Sequence, residues 1–120
     1  MPGNDHNADR LPDYRKIIKT ILQQHCDLMN SQPVPGEEVD CVFDEQRDHY
    51  LLLKYGWPRG KPAHYTKLHA RLHKGKIWIE ADLTEEGLAT ELIEAGIPKE
   101  DIVLAFHAPE MRPYTEFAVA

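Results

Sequence analysis

FDEQRDHY, Phe43 to Tyr50, places three acids, an arginine and a histidine in eight positions. Asp44, Glu45, Arg47, Asp48 and His49 are residue types that enzymes use to move protons. Such a group also needs a pocket that shifts its pKa and holds it against a substrate. The flanking residues argue against one. Val39, Cys41 and Phe43 alternate with Asp40 and Asp44, as a strand does. A second strand is expected from about Asp48 to Tyr55, with Leu51, Leu53 and Tyr55 inward. DEQR is then a turn, where Asp is favoured because it bonds nearby backbone. Only Asp48 and His49 stand close enough to the second strand to be held rigidly.

Other chemistries fare worse. His69 and His73 have a spacing that suits one helix face, but their segment alternates as a strand, which sets them about 13 Å apart. They cannot share one ion there, and no metal or cofactor is expected. Cys26 and Cys41 are too few and too far apart for a zinc site or a disulfide framework. They read as buried free thiols. Ser31 is the only serine and lies at a Pro-rich linker, so a serine triad is nearly excluded.

Charge is the least ordinary feature. The chain carries −6, which disfavours whole-surface attraction to nucleic acid. Between Lys54 and Lys76, however, stand seven bases and no acid, while Glu80 to Asp101 holds eight acids and one base. Lys67, His69 and Arg71 share a strand face by period two, and Lys74 follows at a turn. They are expected to form a partner-binding surface, for protein rather than for DNA. A local patch of three cations would neutralise about three phosphates and give a shallow salt slope.

The elements that position these groups follow from periodicity. Residues 9–30 read as a helix through Leu11, Tyr14, Ile18, Ile21, Leu22, Leu28 and Met29. SQPVPG stops it. Thr66, Leu68, Ala70 and Leu72 mark a third strand, Lys74-Gly75 a tight turn, and KIWIEA a fourth strand. Thr84 is the expected N-cap of a second helix that Gly96 ends. IVLAF is a last strand, and the apolar FAVA end is expected to pair with the sheet or a partner. The predicted class is α+β, a mostly antiparallel sheet of about five strands with a long N-terminal helix and a second helix before the last strand. Residues 1–8 read as a disordered tail and 9–120 as a single domain. The predicted core joins Val39, Cys41, Phe43, Leu51, Leu53, Leu68, Leu72, Ile77, Ile79, Leu88, Leu92 and Ile102. With no membrane-length apolar run and no signal-peptide core, a cytoplasmic address is expected.

The run from Gly75 to Ala120, with KIWI, the DLTEEG turn, GIPKEDIVL and the closing PEMRPYTEFAVA, resembles the XisI family of fdxN-element excision controlling factors, a chiefly cyanobacterial family. Asp13-Tyr14-Arg15, FDEQRDHYLLLKYGW and His69 extend the resemblance over nearly all of 9–120. Arg71 departs from it, standing where the family often has an acid. The resemblance implies a non-enzymatic accessory factor for excision of a DNA element by site-specific recombination, beside a recombinase and an XisH-like protein partner whose own fold is nuclease-like. It assigns no catalytic residue. Asp48, His49, Arg112 and Thr115 belong to the family motif. The alternative is a small hydrolase or nuclease-like enzyme using Asp48, His49 and Arg112. A homo-oligomer, most simply a two-fold dimer, is expected from the apolar end and the segregated charge, with direct DNA contact secondary. Arg112 is expected to pair with Glu116 or the terminal carboxylate.

Overall fold

The order helix, four strands, helix, strand recurs in the computed structural model, which describes residues 2–120 and side chains from residue 10 onward. Helix α1 spans Pro2–Ser31. It starts ahead of the expected residue 9, so the backbone of 2–8 is helical where a tail was expected. Tyr14, Ile18, Ile21, Leu22 and Cys26 recur at three or four residues and form its buried face.

Strands β1 (Glu37–Asp44), β2 (His49–Gly56), β3 (Ala63–His73) and β4 (Lys76–Asp82) follow one another antiparallel. Helix α2 (Leu88–Glu94) then crosses over to β5 (Ile102–Leu104), which lies parallel to β4. A parallel neighbour requires such a crossover. The sheet runs in sequence order, and both helices pack on one face of it. This is the α+β class read from the sequence. Between β3 and β4, Lys74 and Gly75 both take positive φ, 53° and 77°, as a two-residue hairpin turn requires. The apolar end returns to the sheet: Ala118 bridges Val103 in parallel and donates its amide to Ile102 O at 2.8 Å.

Leu68, Leu72, Ile77, Ile79, Leu88, Leu92 and Ile102 enter the core as expected. Val39, Cys41 and Phe43 pack against it half-buried. In β2 the inward face is the opposite of the expected one. Tyr50 and Leu52 are buried, while Leu51 and Leu53 look outward. The cause is the hairpin register, which sets Phe43 opposite Tyr50 and Cys41 opposite Leu52. Directly opposed residues share a face, so β1 decides for β2. Strand β5 also ends earlier than IVLAF implied, because Ala105 and Phe106 turn away.

The cap of α2 is also corrected. The helix starts at Leu88, not after Thr84, and Asp82 serves its first amide. Asp82 Oδ2 accepts Leu88 N–H at 2.6 Å, and Oδ1 accepts the Thr84 amide at 3.0 Å and its hydroxyl at 2.6 Å. Thr84 Oγ1 in turn accepts Gly87 N–H at 3.2 Å. Loss of such a cap costs about 0.5–2 kcal/mol. Asp82→Ala should therefore lower the unfolding free energy by about that much, read by thermal melting. An unchanged melt would remove this role from Asp82.

Candidate functional site

The DEQR turn is closed by its own aspartate. Asp44 Oδ1 accepts the amides of Gln46 at 3.1 Å and Arg47 at 3.0 Å, and Oδ2 accepts Arg47 Nη1 at 3.1 Å. The Arg47 amide and guanidinium hold the Asp44 carboxyl below its usual range. Lys19 Nζ donates to Glu45 at 2.7 Å, which pins the hairpin tip to α1.

Asp48 takes positive φ, 58°, at the end of this turn. Its carboxylate receives Arg15 Nε at 2.7 Å and Nη2 at 3.0 Å, a bidentate pair, and the buried Tyr50 hydroxyl at 2.8 Å. The Arg15 bonds hold Asp48 below the usual carboxylate range, against the opposing effect of burial. Burial and the Asp48 charge push the Tyr50 hydroxyl up. A second tie binds α1 to the far side of the sheet. Asp101, buried just ahead of β5, accepts the Tyr14 hydroxyl and, at 3.3 Å, Arg10 Nη1. Burial and Asp101 raise Tyr14 to about 12.

His49 points to the other side of the sheet. Its Nδ1 lies 2.9 Å from His69 Nε2, so one ring donates to the other. Two nitrogens that close share a single proton. Burial, reinforced by His49, holds His69 below its ordinary value, and Glu80 opposes the shift. His69 thus gains charge only below the pH expected for a free imidazole. Beside it Arg71 Nε donates to Glu80 at 2.6 Å, and the Arg71 guanidinium lies 5.1 Å from the Trp78 ring centroid. The Arg112 guanidinium lies 5.6 Å from the centroid of the same ring.

Arg112 does not pair with Glu116. Its Nε donates to His107 O at 3.1 Å and its Nη2 to Ala105 O at 3.3 Å, while Glu116 takes Lys99 at 3.1 Å. Thr115 Oγ1 donates to Arg112 O at 2.9 Å and accepts the Phe117 amide at 3.2 Å, so it shapes the C-terminal turn. Asp48, His49 and Arg112 therefore do not converge. Asp48 is bound to α1, His49 lies on the opposite face, and Arg112 stacks over β4 and holds the segment that follows β5.

The basic set is also dispersed. The pairing runs Leu52–Leu68 and then Leu53–Thr66, which leaves Lys67 as the extra residue of a bulge. Period two between Lys67 and Arg71 is thereby interrupted. Lys67 lines a cleft with His25, Met29, Thr84, Glu86 and Glu91. Lys54 pairs with Glu37 at 3.2 Å, Arg71 with Glu80, and Lys76 with the Ala120 carbonyl. The run of seven bases is thus less positive than its sequence. Among the described residues no three His, Cys, Asp or Glu are grouped to hold a metal.

These ties involve Arg15, Asp48, His49 and His69, which all lie within the stretch that a family model for the XisI protein matches, residues 8–119. The chain belongs to the XisI family. A XisI-like protein from Anabaena variabilis ATCC 29413 shares 33% identity and a TM-score of 0.85, over 92% of this chain and 99% of that one. The fdxN element excision controlling factor XisI from the same organism shares 43% identity and a TM-score of 0.79, over the same shares of the two chains. No curated protein matches. Among the described residues no helix of this XisI family member is long and apolar enough to cross a membrane. Sequence reasoning missed the Arg15–Asp48 and His49–His69 pairs. Only the family-like Asp13-Tyr14-Arg15 stretch within α1 carried a hint of the first.

Proposed function

We propose that this chain controls excision of a DNA element as an accessory factor, through protein contacts rather than through a reaction of its own. The observation that carries the reading is the 43% identity, over nearly the whole of both chains, to a protein named as the fdxN element excision controlling factor XisI. The absence of a reaction is supported by the commitments of the motif residues. Asp48 is engaged by Arg15 and Tyr50, His49 by His69, and Arg112 by two carbonyls. None is left facing a shared cleft with a nucleophile, as acid–base catalysis needs.

The partners we propose are a second copy of the chain and an XisH-like protein, met in the cytoplasm by residues 9–120 acting as one domain. His69, Arg71 and Lys74 on β3 and its turn supply the surface, while Lys67 opens into the helix-side cleft. Direct DNA contact is secondary, because the chain carries −6 and several of its local bases are already paired.

Pull-down of the tagged chain from native cells, with and without nuclease, tests this. A protein partner should persist after nuclease. Loss of every partner with the DNA would point to direct binding. Phosphodiester hydrolysis that Asp48→Asn or His49→Ala abolishes would point to the nuclease-like alternative.

A further inference from the structure

We propose that a second copy of this chain covers the outer face of β1–β3, packed sheet on sheet about a two-fold axis that runs along β2. This deepens the proposed function and rests on its reading of the chain as a protein that works by contact. The outer face has two halves. The chain covers the β4–β5 half itself: Trp78 and Val103 are buried, Arg112 stacks over Trp78, and Ala118 bridges Val103. Over β1–β3 no described residue plays that part. Val42 is 44% exposed there, with Leu51 and Leu53 beside it.

The bare half is striped. β1 presents the acids Glu38, Asp40 and Asp44 around Val42. β2 presents the apolar pair Leu51 and Leu53. β3 presents His64, His69 and Arg71. The registers set these in rows across the strands: Asp44–His49–Arg71, Val42–Leu51–His69, Asp40–Leu53–Thr66 and Glu38–Tyr55–His64. The bulge leaves Lys67 out of these rows, in the helix-side cleft with His25 and Glu91.

A two-fold axis parallel to the strands keeps each row at its own height and exchanges its two ends. On an axis over β2, Leu51 and Leu53 then meet their own copies at the centre. Asp44 meets Arg71 of the second copy, whose Nε alone bonds Glu80. Glu38 meets His64, and Asp40 meets Thr66. Glu38 and Asp44 thus find an imidazole and a guanidinium, Asp40 finds a hydroxyl, and the apolar stripe closes on itself. A two-fold axis perpendicular to the strands would instead lay β1 on β1 and oppose acid to acid, which is unfavourable. Aligned sheets cross at about −30°, so the axis lies about 15° off the strands. The charge pattern therefore selects both the partner and the axis.

Leu51→Cys tests the axis. Oxidised with copper phenanthroline, this variant should link to itself. Val42→Cys, one strand off the axis, should not, but should link to His69→Cys in a mixture of the two. Cys26 is buried and Cys41 lies on the helix side, so neither native thiol reaches across. Leu28→Cys, on exposed α1 surface, is the control. Sedimentation should show a dimer for the wild type and a monomer for Leu53→Glu, with the circular dichroism of both alike. A wild-type monomer at tens of micromolar, a Leu53→Glu dimer, or linking at Leu28→Cys in place of Leu51→Cys would overturn the proposal. A monomeric wild type that still retains a nuclease-resistant partner would sink this inference and the second copy as partner, and leave the accessory role through another protein standing.

Discussion

Leu92→Ala should lower the unfolding free energy by about 2–5 kcal/mol, the range for large-to-small changes at buried leucines. Leu92 is fully buried in α2, and its carbonyl accepts the Ile97 amide at 3.1 Å where the chain leaves the helix. Seven residues cannot sustain a helix alone, so α2 is held by what Leu88 and Leu92 bury against the sheet. Loosening α2 also loosens the approach to β5, since the crossover carries both. Urea unfolding measures the change. A loss below about 0.5 kcal/mol, the size of an ordinary surface substitution, would contradict this packing.

Asp48→Asn should cost about 1.5–3 kcal/mol, the scale of hydrogen bonds to charged groups. Asparagine tolerates the positive φ at this position, so the change isolates the charge. It leaves the Arg15 guanidinium, 30% exposed, without its carboxylate. The pH dependence has a definite sign. Asp48 titrates lower in the fold than in the open chain, where a carboxyl sits near 3.9. Its contribution is therefore complete above the open-chain value and is lost as pH falls through the lower folded value. The stability gap between wild type and Asp48→Asn should hold from neutral pH into mild acid and close in strong acid. A gap independent of pH would show that Asp48 does not act through its charge.

How much of this the sequence disclosed depended on whether a segment buries one face or two. β3 alternates cleanly, and its inward residues were legible at Leu68, Ala70 and Leu72. β2 carries Tyr50, Leu51, Leu52 and Leu53 in succession, apolar on both faces, so period two is silent there. The clue lay across the hairpin, where Phe43 opposes Tyr50. The bulge at Lys67 has no local signal, since it answers to pairing with β2 and not to its own residues. At the candidate site, β2 begins at His49 and Asp48 stands before it in the turn at positive φ, so the two side chains go to different partners on opposite faces. That alone argues against a joint catalytic role. The Arg15 and His69 partners come from elements 33 and 20 residues away, and no short-range pattern reveals such distances.

On the proposed function, contact and not chemistry is the means of controlling excision. The direct measurement is the frequency of the rejoined DNA junction in cells that lack the chain and carry one variant in its place. Asp48→Asn, grown cool enough for the fold to persist, should restore excision, and Leu53→Glu, folded but unable to cover its outer face, should not. Excision restored by Leu53→Glu and lost with Asp48→Asn would contradict control by contact.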